Sequence, residues 1–272
     1  MENLFDTRWP EVVFSSSDTK ITARIHRAIK SGELRKLAPR VYTSNLHDKP
    51  IDIIKRNRYP IISHLYPEAV ISHRSALEGG VSPAGFIVLS YKYTKKIVLP
   101  GLTIRLVEGP GPQPGDTPFM ERLFLASRPR ALLENLEASR GNTAKALGRK
   151  YIESHLDKLA RIHGIEELNH LRDQARALYP ALGLSKEFKL LDSIIGALLG
   201  THDVKLSATA AKARAAGKPY DTDRIELFSI LSEVIIRSIL PKIKYPHHDL
   251  DWNNNLAFFE AYFSNYIEGT EF

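Results

Sequence analysis

The sequence predicts an α+β protein in which a small front part that contains strands is followed by an all-helical remainder. Three observations predict this. A helical apolar pattern and a short basic hairpin fill residues 15–45, and β-branched runs fill residues 84–108. After about residue 119 the apolar residues recur at helical spacing. We therefore divide the chain into segments 1–46, 47–120, 121–250 and 251–272.

The composition is typical of a soluble globular protein, and the chain is long enough to bury a sizeable apolar core. Hydrophobic residues make up 43% and charged residues 25% of the 272 residues. The absence of cysteine excludes disulfides, thiolate zinc sites and a cysteine nucleophile. The opening MENLFDTRWPEVVF has no apolar core of a signal peptide, and no run reaches the roughly 18 apolar residues that a membrane span needs. We therefore expect a cytoplasmic protein with no membrane partner.

The first predicted element is an amphipathic helix that leads into a hairpin. Three residues can cap the start of the helix: Ser17, Asp18 and Thr19. Its apolar face is formed by Ile21, Ile25, Ala28 and Ile29. Gly32 ends the helix, and two short strands come after it around a turn at Pro39 and Arg40. A helix that fits the major groove, followed by a basic wing, is the geometry of a winged-helix module, which we assign to residues 1–46.

Positive charge is concentrated in this front segment. The net charge is +7, and the only acidic residue within residues 20–40 is Glu33. Basic side chains bind phosphates by releasing counterions, and arginine can also read guanine. Thr22 and His26 are polar candidates for contacts with base edges. The predicted DNA contacts are Lys20, Thr22, Arg24, Arg27, Lys30, Arg35, Lys36 and Arg40. The alternative is an ordinary solvated basic helix.

The segment 47–120 is predicted to be a small α/β domain. A helical pattern at 51–65 is interrupted by Pro60, and residues 69–78 resemble a strand end that leads into a short helix. Residues 109–118 hold four prolines and three glycines and must form a loop. Helical patterns then occupy residues 128–138, 142–163, 165–178, 185–200, 204–216, 221–240 and 251–268.

Several of these segments resemble the AbiE-type antitoxin family. SGELRKLAPRVYTSN at 31–45 is similar to the wing of that family. AVISHRSALEGG at 69–80 and SRPRALLENL at 127–136 are similar to segments that come after the wing in that family. The resemblance covers residues 19–140 and implies a winged helix that binds DNA, often at the protein's own promoter, in a toxin–antitoxin setting. One departure is that no first helix of a helix-turn-helix precedes residue 17.

The last predicted helix carries a short motif. Ser264 and Glu268 are four residues apart and share one helical face, and Gly269 comes next. FFEAYFSNYIEGTEF at 258–272 resembles the inhibitory helix of the Fic family, whose motif is Ser or Thr, three residues, Glu, then Gly or Asn. The resemblance implies that Glu268 pairs with an arginine that would otherwise hold the γ-phosphate of ATP. It also implies that Ser264 bonds to the active-site loop.

The residues that catalyse AMP transfer are missing from the sequence. Fic catalysis needs His-Pro-Phe followed by Gly-Asn-Gly-Arg, and neither occurs. We therefore expect no enzyme activity and no cofactor for this chain, while ATP and a divalent metal would belong to a Fic catalytic domain in cis or in trans. We expect the chain to be a piece of a longer protein, with a split gene product or a complete antitoxin as alternatives. The adjacent His247 and His248 are predicted to lie in a surface turn and not at a metal.

The predicted function is the regulatory, DNA-binding portion of a Fic protein that inhibits AMP transfer through Glu268. The alternative is a stand-alone AbiE-type antitoxin and transcriptional regulator. A third possibility is a scaffold that binds no DNA. A homodimer that reads two half-sites is compatible with the first two.

Overall fold

The computed structural model describes residues 9–139 and 145–239 together with residues 258 and 260. The chain divides into two compact units, Met1–Asp221 and Thr222–Phe272. The described residues form a mixed α+β structure, which confirms the predicted class. None of the helices within these residues is long and apolar enough to cross a membrane.

The front of the first unit is a three-stranded antiparallel sheet with one helix packed on it. Its elements are β1 (Val12–Phe14), α1 (Thr19–Lys30), β2 (Arg35–Ala38) and β3 (Val41–Thr43). The strand order is β1-β3-β2, with Val13 opposite Tyr42. Ile25 and Ala28 of α1 pack against Val13 and Leu34. The helix and the hairpin lie where the sequence predicts them, and a strand occupies the place before residue 17 where no helix could be found.

Glu11 ties this small sheet to the next part of the chain. Two helices come after the hairpin, α2 (Pro50–Arg56) and α3 (Arg58–Leu65). Glu11 accepts hydrogen bonds from Arg56 Nε at 3.0 Å and from Asn57 Nδ2 at 2.8 Å. The hydrogen bond from Arg56 contributes most, and together with the bond from Asn57 it lowers the pKa of Glu11 to about 2. The carboxylate therefore stays charged and holds the start of β1 against the end of α2.

A six-stranded mixed sheet forms the centre of the first unit. Its strands are β4 (Val70–Ile71), β5 (Phe86–Tyr91), β6 (Lys95–Leu99), β7 (Leu102–Glu108), β8 (Thr117–Phe119) and β9 (Leu123–Leu125). Two short helices, α4 (His73–Leu77) and α5 (Arg128–Glu134), come after β4 and β9 in the chain. The order is β6-β7-β5-β4-β9-β8, in which β5–β7 and β4–β9 are the parallel pairs. Fully buried aliphatic residues of α2, α3 and the sheet make one core.

Strand β9 lies past residue 120, where the sequence predicts the start of the helical region. It pairs with β4 in parallel, so that Val70 lies opposite Phe124. Three residues are too few to show a strand periodicity, and β8 contains Pro118 and comes after a loop rich in proline and glycine. The sheet therefore extends beyond the predicted boundary for reasons that only tertiary pairing reveals.

Four helices complete the first unit around a second apolar core. They are α6 (Arg149–His163), α7 (Ile165–Leu182), α8 (Ser185–Leu198) and α9 (Thr209–Ala215). Leu156, Leu168, Leu191 and Ile194 are fully buried in this core. The second unit contains α10 (Thr222–Arg237), whose residues are all exposed.

A buried ionic network joins the loop at 109–116 to α5. Arg130 is fully buried, and its guanidinium contacts Asp116 Oδ2 at 2.6 Å and Glu134 Oε1 at 2.8 Å. It also donates to the carbonyl oxygens of Gly111 and Pro110, each at 2.9 Å. Burial alone would lower the pKa of Arg130, but the carboxylates of Glu134 and Asp116 outweigh burial and raise it. We call Asp116, Arg130 and Glu134 the Arg130 network.

Candidate nucleic-acid interface

The exposed face of α1 carries four of the predicted DNA contacts. Because Ile25 and Ala28 fix the opposite side of the helix to the sheet, these four side chains point to solvent: Lys20, Arg24, Arg27 and Lys30. None of the four forms an ion pair with a described residue. The guanidinium of Arg24 lies 4.4 Å from the centroid of the Trp9 ring, which orients its charge without neutralising it.

The hairpin places two more predicted cations at the surface. Lys36 is exposed on β2, and Arg40 is exposed at the turn, where its φ of 66° is in the left-handed region. The Nε of Arg40 donates to Ser15 Oγ at 3.2 Å, and its carbonyl accepts from Ser15 N at 3.0 Å. These bonds fix the tip of the hairpin to the end of β1, so the hairpin is anchored and not a free loop.

Two predicted contacts are engaged with the protein itself. Thr22 is half-buried, and its hydroxyl donates to the carbonyl oxygen of Ser16 at 2.8 Å. Arg35 is also half-buried and donates to the carbonyl oxygen of Asp48. The structure thus brings Lys20, Arg24, Arg27 and Lys30 together on one face of α1 but places Thr22 and Arg35 in interior contacts.

A groove of about 690 Å³ opens beside the tip of the hairpin. Arg40 contributes one cation, and Arg122, from the turn between β8 and β9, contributes another. No described residue forms a hydrogen bond or an ion pair with the Arg122 guanidinium. None of the described residues that line the groove is acidic. Two cations in one groove whose described lining holds no carboxylate create a local positive potential, as an anion-binding site requires.

His64 also lines this groove, and its pKa responds to the positive charges there. Its ring stacks on Phe14 with centroids 4.0 Å apart. Burial lowers the pKa of His64, and the positive charges of Arg40 and Arg122 lower it further. The sequence alone does not place His64 or Arg122 at the candidate interface, because only the tertiary fold brings residues 40, 64 and 122 together.

Three side chains near α4 have the residue types of a catalytic triad, but their serine hydroxyl is closed to solvent. His73 Nδ1 lies 2.9 Å from Ser72 Oγ, and His73 Nε2 lies 3.2 Å from Glu137 Oε1. However, Ser72 and His73 are 0% and 2% exposed, so a substrate cannot reach the hydroxyl. His73 has a φ of 51°, and its amide donates to Glu134 Oε2 at 3.0 Å, which holds that backbone in place. The arrangement supports the fold and not nucleophilic catalysis.

The predicted inhibitory residues Ser264, Glu268 and Gly269 lie outside the described residues, as do His247 and His248. Within residues 9–139 and 145–239, no three histidine or carboxylate side chains cluster in a way that could hold a metal ion.

Comparisons of the chain with protein-family models, with curated proteins and with solved structures found no match.

Proposed function

We propose that the chain binds double-stranded DNA through α1 and the hairpin that comes after it. The observation that carries this proposal is the set of four exposed cations on one face of α1 that form no ion pair with any described residue. Exposed basic side chains without acidic partners are free to neutralise phosphates and to release counterions. We further propose that α1 enters the major groove while Lys36 and Arg40 contact the flanking backbone.

The groove beside the hairpin extends this footprint. Arg122 shares the groove with Arg40, so a phosphate that contacts the hairpin tip would also come within reach of Arg122. The proposed interface therefore consists of Lys20, Arg24, Arg27, Lys30, Lys36, Arg40 and Arg122. The resemblance to the AbiE-type antitoxins supports the promoter of the protein's own gene as the target.

We expect binding to a duplex from that promoter to weaken steeply with salt. About six phosphate contacts correspond to a slope near −5 in a plot of log K against log salt. Replacing Arg122→Gln should make the slope shallower by about 0.9 and weaken binding about eightfold near 0.1 M salt. Fluorescence anisotropy of a labelled duplex at several salt concentrations measures both quantities.

The control is Lys186→Gln, which removes one exposed cation from α8 and should leave affinity and slope unchanged. A scrambled duplex separates sequence-specific from general binding, and the stoichiometry on the promoter reports whether a dimer occupies two half-sites. The proposal is wrong if the wild-type chain shows no binding at low salt, which would leave the scaffold alternative.

We also propose that Glu268 inhibits a Fic catalytic domain present in cis or in trans. The motif formed by Ser264, Glu268 and Gly269 supports this proposal. A carboxylate on the nucleotide-site arginine would occupy the position of one ATP phosphate, and a charge-assisted pair of this kind contributes about 1.5–3 kcal/mol. ATP and its divalent metal would bind to that catalytic domain.

Glu268→Gly should therefore raise AMP transfer about ten- to a hundredfold, since each 1.4 kcal/mol is about a factor of ten. The measurement is transfer of labelled AMP from ATP by the Fic domain encoded in the same or the adjacent reading frame. Glu271→Gly, three residues further on, is the matched control and should change nothing. If neither frame encodes His-Pro-Phe and Gly-Asn-Gly-Arg, the stand-alone antitoxin becomes the better description.

A further inference from the structure

A second, larger cavity lies in the first unit, on the side of α5 that faces α6 and α7. Its volume is about 1050 Å³. It is lined by the loop at 113–117, the end of β9 and the start of α5, and also by His155 of α6 and one face of α7. A cavity of this size accommodates a small organic molecule.

Two buried polar atoms in the lining have no hydrogen-bond partner among the described residues. The Oγ of Ser127 and the Nε2 of His155 are buried, and no described residue forms a hydrogen bond with either. Both residues line the cavity, Ser127 from the start of α5 and His155 from α6. A buried polar atom without a partner costs about 1–3 kcal/mol, so a molecule that supplies the missing hydrogen bonds gains that energy on binding. The serine hydroxyl can donate, and the imidazole Nε2 donates in the tautomer that carries its proton there.

The charges around His155 favour a negatively charged acceptor. Burial lowers the pKa of His155, and the positive charges of Arg128 and Lys158 lower it further, so the ring is neutral and lies in a positive field. Glu167 is the one carboxylate among the described lining residues, and its Oε1 is paired with Arg128 Nη1 at 3.0 Å. The imidazole of His170 is bonded to Gln174 Nε2 at 2.9 Å.

The rest of the lining is mostly apolar. Leu77 and Leu125 contribute to one side of the cavity, and Leu171 and Leu178 contribute from α7. Ala177 and Ala181 of α7 are exposed lining residues, and their small side chains leave the cavity open to solvent on that side. The apolar part of the lining therefore fits an aromatic or aliphatic body.

We propose that this cavity binds a small organic acid, with its carboxylate between Ser127 Oγ and His155 Nε2 and its apolar body between α5 and α7. The site lies apart from the DNA-binding residues proposed above, shares none of them, and does not depend on DNA binding.

The test uses the full chain and four acids as probes: benzoate, phenylacetate, 3-phenylpropanoate and hexanoate. Calorimetric titration should give saturable binding of at least one acid, and the matching alcohol should bind at least tenfold more weakly because it lacks the charge. Ser127→Ala should weaken that acid about tenfold, which corresponds to one hydrogen bond to a charged group. Binding should also perturb the ring resonances of His155 in the NMR spectrum, assigned with His155→Gln.

Ala177→Trp is the second variant, because a large side chain on the exposed face of α7 should fill the entrance without disturbing the core. Ala215→Trp, at an exposed position of α9, is the matched control and should bind like the wild type. The proposal is overturned if no acid binds at up to about 10 mM. It is equally overturned if the alcohols bind as tightly as the acids, or if Ser127→Ala and Ala177→Trp bind like the wild type.

Discussion

Arg130→Met is expected to destabilise the first unit by roughly 3–5 kcal/mol, because it removes one partner of a buried ion pair. The guanidinium is fully buried between Asp116 and Glu134, and it also satisfies the carbonyls of Pro110 and Gly111. Methionine fills a similar volume but leaves two carboxylates without their cation in an environment of low polarity. The loop at 109–116 would lose its main attachment to α5. Urea unfolding followed by far-ultraviolet circular dichroism measures the change.

Two further variants separate the ionic effect from a loss of packing. Combining Arg130→Met with Asp116→Asn and Glu134→Gln removes the unpaired charges and should recover part of the lost stability. Arg176→Met, which breaks an exposed pair with Asp173, should cost less than about 1 kcal/mol. A similar small loss for Arg130→Met would show that the Arg130 network contributes little to stability.

Neutralising the basic face of α1 should reduce DNA affinity about a thousandfold near 0.1 M salt, and it should make the salt slope shallower by about 3–4. The variant replaces Lys20, Arg24, Arg27 and Lys30 with glutamine. Each lost phosphate contact removes about 0.9 from the slope, and four exposed cations are changed together. Glutamine has a high helix propensity, so α1 should keep its length and its packing through Ile25 and Ala28. Anisotropy titration of the promoter duplex measures the loss.

The matched control changes the net charge by the same amount at a distance from the proposed interface. It replaces four exposed lysines with glutamine: Lys186, Lys189, Lys205 and Lys212. The control should bind DNA nearly as well as the wild type if a local surface is responsible. Equal losses in the two variants would mean that net charge alone, and not the face of α1, drives the interaction. Circular dichroism of both variants excludes unfolding as the cause.

The parts of the fold that depend on local pattern could be predicted from the sequence. The periodicity of Ile25 and Ala28 located α1, and the turn at Pro39 and Arg40 located the hairpin, because those signals lie within a few residues. The apolar spacing of residues 165–178 likewise indicated α7, which continues to Leu182. Local propensity and tertiary packing agree in these elements.

The parts that depend on distant pairing could not be predicted. Strand β9 is recognisable only because it lies beside β4, and Arg122 joins the candidate interface only through that pairing. Thr22 is placed correctly on α1, yet its hydroxyl bonds to Ser16, a contact that helical spacing does not reveal. Arg130 lies in a segment with an ordinary helical pattern, and nothing in that pattern indicates that its charge is buried.

The position of β9 inside the sheet restricts how the gene could have been rearranged. A polypeptide cut after residue 120 would lack β9, and the outer edge of β4 would expose unpaired amides and carbonyls. Edges of that kind pair with other chains, so such a piece would tend to self-associate. A transfer of the six-stranded sheet to another protein would therefore have to include the coding sequence at least as far as Leu125.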